Sequence, residues 1–575
     1  MSIPRTTVFC SLLFVACSSS EGARPAAPSV PLQADSPWPK FRGNAAQDGR
    51  SAQKPKPGGK AWTFRTGKGI FSSPIVAADG TVYVGSADRN FYALNADGTL
   101  RWKVATGEIV DSAGLLDDRG RVYFGSGDGK LRALDAATGR EIWSMTADAP
   151  SVNKAFINWF EGNVAIGPGG TLYVPNDNFF LYAIDREDGR VKWRRKMPDQ
   201  TWSLPAVDAP SGTLFVGNNN LLPALGRNTF ALDPASGEAQ WETSTLGSIA
   251  ASPMFAEGRV IVGGFDGWVR AYDEKSGDEL WAFATRDHVY ASPALLPDGT
   301  VVQPSADGTV YALDPKTGAL RWAFDAGEPI RSSPAVDADG NVYFGGGDGR
   351  LWVLGPDGRH RWSVQLIAEA RNDLNASPAL GRDAIYLAGE SGEVFSVPYD
   401  LCLRAEPDPR CRVGGDEPLA RDGAFLLYTT ASGAILDAPP SAHHANRPIT
   451  LSLVLREKGD TRLSTIDAST LDVRVEPKVD VAIEVAGDGK FLTITPLSPF
   501  VAGADGKVRV SATAKLLVDH DREGLRLKNG KAGGGVRSDL ALTLADRPKA
   551  PAKLAIPTTP GEPATTWEMA RLALP

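Results

Sequence analysis

The residues best suited to metal binding or nucleophilic chemistry in this 575-residue chain are its five histidines, its four cysteines and its many Asp-Gly pairs. Their spacing argues against a reaction centre. His443 and His444 are adjacent, and neighbours on an extended strand point to opposite faces, so the pair reads as solvated linker rather than two ligands. His288, His360 and His520 stand apart. The Asp-Gly pairs at Asp128, Asp266, Asp307 and Asp348 could pass for metal ligands. They recur between apolar runs, and Asp and Gly there are turn residues. No Walker loop, paired metal-binding Cys motif or nucleophile elbow is present.

Two other chemistries are carried by cysteine. Residues 1–17 hold Arg5, a short apolar run and Cys17, which reads as a signal peptide too short to span a membrane. The end of that run, Phe14-Val15-Ala16-Cys17, resembles a bacterial lipobox, with Phe14 where Leu is usual; the resemblance implies lipidation of Cys17. Residues 18–37 follow as a polar, Pro/Ala-rich tether. In an exported chain, Cys402 and Cys411, which enclose a short Pro-containing loop, are expected to form a local disulfide.

The elements that would position any site are strands. Residues 291–322 read as four short strands separated by Asp298-Gly299, Asp307-Gly308 and Thr317-Gly318, the turn pairs that primed hairpins require. The unit recurs at 71–102 and 331–362, and a period of about 40 residues with four strands per unit is the signature of a β-propeller. Tryptophans mark the period: Trp62, Trp102, Trp143, Trp193, Trp241, Trp281, Trp322 and Trp362. Each can bury roughly 150–250 Å² between neighbouring blades, so their expected role is structural docking. Three-strand groups centre on Val82, Val122, Leu172, Leu214, Val260, Val301, Val342 and Ile385, and a Trp strand follows only seven of them. Pairing the orphan strand at 61–64 with the last group, 377–397, closes a ring of eight blades and removes both sheet edges.

The phrase Ala-x-Asp-x-x-x-Gly-x-x-x-Trp, fullest at 133–143, resembles the tryptophan-docking motif of pyrroloquinoline quinone (PQQ) propellers. Trp38-Pro39-Lys40-Phe41-Arg42-Gly43-Asn44 is similar to the lead-in of that family's non-catalytic lipoproteins, the type that serves in the outer-membrane β-barrel assembly machinery. The resemblance covers residues 38–400 and implies either of two functions. One is a non-enzymatic scaffold of the cell envelope, lipid-anchored in the bacterial outer membrane, binding a protein or polysaccharide and no cofactor. The alternative is an alcohol or sugar dehydrogenase dependent on PQQ and Ca²⁺. That reading wants an adjacent Cys-Cys pair, and the propeller has no cysteine. Two blades carry insertions, at 153–160 and 218–225. An exposed Trp159-Phe160 pair, with Asn219 and Leu221 on the next blade, is the candidate binding surface; the plainer reading is loop packing.

After residue 400 the rhythm stops. Residues 401–424 read as a disulfide-containing linker, and 425–546 resemble a bacterial Ig-like β-sandwich. Residues 547–575 are a Pro-rich tail. The expected fold is therefore all-β, an eight-bladed propeller followed by a small sandwich. A net charge of −7 without a basic tract argues against a nucleic-acid partner. No apolar run reaches the length of a membrane-spanning helix, so membrane contact is expected through the lipid alone.

Overall fold

The computed structural model describes residues 30–413 apart from 153, 154, 156, 221–226, 246, 286, 327 and 368–373, and beyond them the backbone of a set of strands between 424 and 573. Cys17 and Leu221 lie outside the described residues.

Blade 1 runs from the axis outward as Ile75–Val76, Val82–Ser86, Asn90–Leu94 and Leu100–Ala105, all antiparallel. The middle strands are buried throughout, whereas the outer strand alternates, as expected of strands inside and at the rim of a sheet stack. Six more blades repeat the order, with innermost strands starting at Leu115, Ala165, Ala206, Met254, Ala294 and Ala335. The eighth is composite. Its inner strands are Ala379–Leu380, Ala384–Ala388 and Glu393–Pro398, and its outer strand is Trp62–Arg65, paired in register from Trp62↔Ser396 to Arg65↔Glu393. The ring is thus closed by its own N-terminal strand.

Seven of the eight docking tryptophans, all but Trp362, reach across to the next blade. The Nε1 atoms of Trp62, Trp102, Trp143, Trp193, Trp241, Trp281 and Trp322 donate at 2.8–3.1 Å to the carbonyls of Ala96, Ala136, Arg186, Pro234, Glu274, Pro315 and Pro356. The indole then lies on the glycine of that turn. At Gly139, whose φ of +73° already favours glycine, a Cβ would stand 2.8 Å from Trp102. The Gly and Trp of one phrase therefore serve two different interfaces.

Nearer the axis a girdle of short bonds joins the blades. Backbone amides of Leu204, Ser252, Ser292, Ser333 and Ser377 donate at 2.9–3.0 Å to the hydroxyls of Ser252, Ser292, Ser333, Ser377 and Ser73, one blade on each time. Asn163 takes the serine's place for Ala113. The bond from Ser377 to Ser73 joins the last blade to the first.

One end of the ring is plugged. Residues 38–49 wind around the inside, and their carbonyls accept the inward-facing amides of six innermost strands: Trp38 from Val76, Pro39 from Leu116, Ala45 from Val207, Ala46 from Phe255, Asp48 from Leu295 and Gly49 from Val336, all at 2.8–2.9 Å. Those amides would otherwise face an unpaired axis. Arg42 is buried and bonds the carbonyls of Pro293 and Pro334. Lys40, also buried, donates to the carbonyls of Phe41 and Asn44 at 2.7 and 3.0 Å. The phrase at 38–44 is a plug, a role its residue types do not advertise.

Cys402 and Cys411 are bonded, with Cα atoms 5.5 Å apart. The second cysteine begins a strand, Cys411–Val413, that adds a fifth strand to blade 7 by pairing Trp362↔Val413. Part of the expected linker therefore belongs to the propeller. Beyond it, ten strands from Ala424 to Ala573 form one hydrogen-bonded set, with parallel pairing of Ala424–Thr430 with Ile449–Glu457 and of Val536–Leu544 with Thr565–Met569. The Pro-rich tail thus supplies two strands, Thr565–Met569 and Leu572–Ala573.

Candidate binding site at the end opposite the plug

The plug bonds lie at the far end of each innermost strand. At the near end, one residue per blade stands four positions before that strand: Phe71, Asp111, Glu161, Trp202, Ala250, Tyr290, Arg331 and Asn375. The residue before it is buried in every blade, among them Ile70, Val110, Phe160, Val289 and Ile330. The girdle residue stands two positions after it, so the position is fixed in space by its neighbours and free in its side chain. Phe71, Trp202 and Tyr290 are exposed by 50%, 42% and 36%, and Arg331 is exposed as well. The carbonyls held by Arg42 lie three residues further along, roughly 10 Å deeper at 3.3 Å per residue.

This mouth is polarised. On blades 2 and 3, Asp111 and Glu161 stand side by side, joined by Asp177 from the turn after Thr171–Asn176. Burial and the neighbouring Glu161 push the Asp111 carboxyl up to about 7, and the same two causes push Asp177 up further. On blades 5 to 7, Phe265 and His288 meet edge-to-face beside Tyr290, and the Arg331 guanidinium lies 5.3 Å from the Tyr290 ring centre.

The insertions behave differently from the expected surface patch. Phe160 is fully buried against Tyr182, so it is core. Trp159 is half-buried over Gly127, and its carbonyl accepts the Asp177 amide. Asn219 is buried, its carbonyl accepting from Ser248. Loop packing thus accounts for Phe160 and Asn219. Among the described residues the exposed aromatics are Phe71, Trp202 and Tyr290, which sequence reasoning passed over. Counting back four residues from each Ser-Pro-Ala-like strand start would have found them. The Asp-Gly aspartates do cap turns: Asp128, Asp266, Asp307 and Asp348 accept the amide two residues on.

Among the described residues no group of three His, Cys, Asp or Glu side chains converges to hold a metal ion. The eight mouth positions offer a tricarboxylate one cation, Arg331, and two carboxyl groups.

A closed eight-bladed propeller with a plugged axis and a varied mouth defines the class. The family model described as outer membrane protein assembly factor BamB matches residues 51–226, 200–288 and 265–400, more than half of the chain, and the chain belongs to that family. BamB of Burkholderia pseudomallei is 29% identical over 121 residues, 21% of this chain and 29% of that protein. Quinohemoprotein alcohol dehydrogenase ADH IIB of Pseudomonas putida is 30% identical over 142 residues, 22% of this chain and 20% of that protein. The chain thus spans less than a third of either relative. The crystal structure of quinohemoprotein alcohol dehydrogenase from Comamonas testosteroni aligns with a TM-score of 0.52 at 16% identity, covering 68% of this chain and 82% of that one, a likeness of fold.

Proposed function

We propose that this chain is a non-enzymatic scaffold of the bacterial cell envelope, exported and tethered through lipidated Cys17 to the outer membrane, whose propeller mouth docks an envelope protein. The strands after Ala424 would form the Ig-like unit. The observation that carries the reading is the mouth itself: eight positions on a repeated frame, each with a different side chain, several of them exposed aromatics. Exposed aromatics and arginine are the side chains that anchor protein interfaces. The family description, an assembly factor, supports a protein partner over a polysaccharide.

A photo-crosslinking residue at Trp202 tests this in cells. Discrete protein adducts are expected, and a probe at Leu280 on an exposed outer strand should give none. Adducts to glycan alone would favour the polysaccharide. Dehydrogenase relatives match at similar identity. Dye reduction with alcohols or aldoses after adding PQQ and Ca²⁺ would overturn the scaffold reading; none is expected.

A further inference from the structure

The acidic corner of the mouth is not required by the frame. Asp177 occupies the second position of its turn, and its amide donates to the Trp159 carbonyl. In blades 1, 2, 6 and 7 the same position, with the same backbone bond, is filled by Ala87, Gly127, Ala306 and Gly347. The turn therefore needs no carboxyl group there. Yet Asp177 is 1% exposed, and among the described residues its carboxyl oxygens make no well-formed hydrogen bond; the polar groups nearest to them are the Glu161 carboxyl and the Trp202 indole. Asp111 Oδ1 is likewise buried without a partner. In blade 8 the equivalent acid, Glu390, is bonded by Asn375 from the mouth position of its own blade. The mouth residue of Asp177's own blade is instead a second acid, Glu161, and its neighbour on blade 2 is a third. Three acids thus meet with no basic side chain among the described residues bonded to them, an arrangement that a cation would complete.

We propose that Asp111, Glu161 and Asp177 form a subsite for a single cationic side chain, a Lys or Arg head, of the protein docked at the mouth. The corner fits an organic cation better than a metal, because the carboxylates do not converge as a metal cage. Trp202 stands beside Asp177, and an exposed indole face suits an ammonium or guanidinium. The remaining acid close by, Glu108, is paired with Arg89. Among the described residues, the groups facing the subsite are Asp111 on the lead-in to blade 2, Glu161 on the lead-in to blade 3, Asp177 on its turn and the neutral Trp202. Burial and the neighbouring Glu161 raise both Asp111 and Asp177, so a cation binds best once their protons have left, and binding should strengthen as pH rises.

The inference rests on the mouth being a docking site, and the test separates the two. The full chain is titrated calorimetrically with the capped peptide acetyl-Gly-Ser-Lys-Ser-Gly-amide, with its Arg and norleucine counterparts, and with CaCl₂. The Lys or Arg peptide should bind at least about tenfold more tightly than the norleucine peptide. D177N and E161Q should each remove about that factor, and affinity should fall as pH is lowered from about 8 to about 6. D177N removes a buried acid beside a second acid and keeps its shape, so its unfolding temperature should not drop; that measurement guards against misfolding. Equal binding of the Lys and norleucine peptides, no charge-dependent binding up to about 10 mM, or unchanged affinity in D177N would each overturn the proposal. So would Ca²⁺ saturating the site while the peptides do not. If the Trp202 crosslink persists when the peptide fails, the subsite falls and the docking mouth stands. If both fail, both readings fall.

Discussion

The two kinds of buried charge leave opposite marks on stability. Lys40 is held in the plug, where burial and Arg42 lower it to about 7 from its ordinary 10.5. Between those values the unfolded chain binds the proton and the folded chain does not, so stability rises with pH. Asp111 is raised from 3.8 to about 7, so its contribution is fully present below pH 4 and is lost as pH climbs to about 7. Relative to Lys40→Met, the wild type should therefore gain stability from about pH 7 to 10, and relative to Asp111→Asn it should lose stability from about pH 4 to 7. Denaturant titrations across that range decide both signs. The docking tryptophans offer a sharper comparison. Trp322→Ala should cost about 3–5 kcal/mol, the usual cost of truncating a buried Trp. Trp62, half-buried, makes the same bond to the next blade and should cost nearly as much. A neutral Trp62→Ala would place that strand outside the ring.

At the scale of elements, the disulfide fastens the fifth strand of blade 7. Cys402→Ser with Cys411→Ser should cost about 2.5 kcal/mol by loop-closure entropy for the separation of 9 residues. Amides at 362–365 should lose hydrogen-exchange protection, with other blades unaffected. Strands were the legible part of this sequence. Asp-Gly turns and the tryptophan phrase are local signals, so the eight blades, including the composite one, followed from counting. The plug was not legible, because its carbonyls bond strands spread from Val76 to Val336 and its own residues carry no period. Nor was the acidic corner, which depends on Asp111, Glu161 and Asp177 meeting across two blades. Phe160 reads as surface in the sequence because an aromatic in an insertion looks exposed until the turn it packs on is known.

Over the whole molecule, plug and girdle should contribute separately. Deleting residues 30–53 removes the partners of six innermost strands while leaving Trp62–Arg65 in place. Protection should fall at Val76, Leu116, Val207, Phe255, Leu295 and Val336 together, and the ring should stay closed. Deleting 38–66 also removes the outer strand of blade 8, and the product should aggregate through its open edges. The composite blade has a further consequence in time. Trp62–Arg65 leaves the ribosome early, and its partner Glu393–Pro398 comes more than three hundred residues later. Until then the first strand has nothing to pair with, and every shorter chain is an unclosed fan of sheets. A chain broken off during synthesis therefore keeps two open sheet edges, and the last seam marks the difference between a partial ring and a whole one.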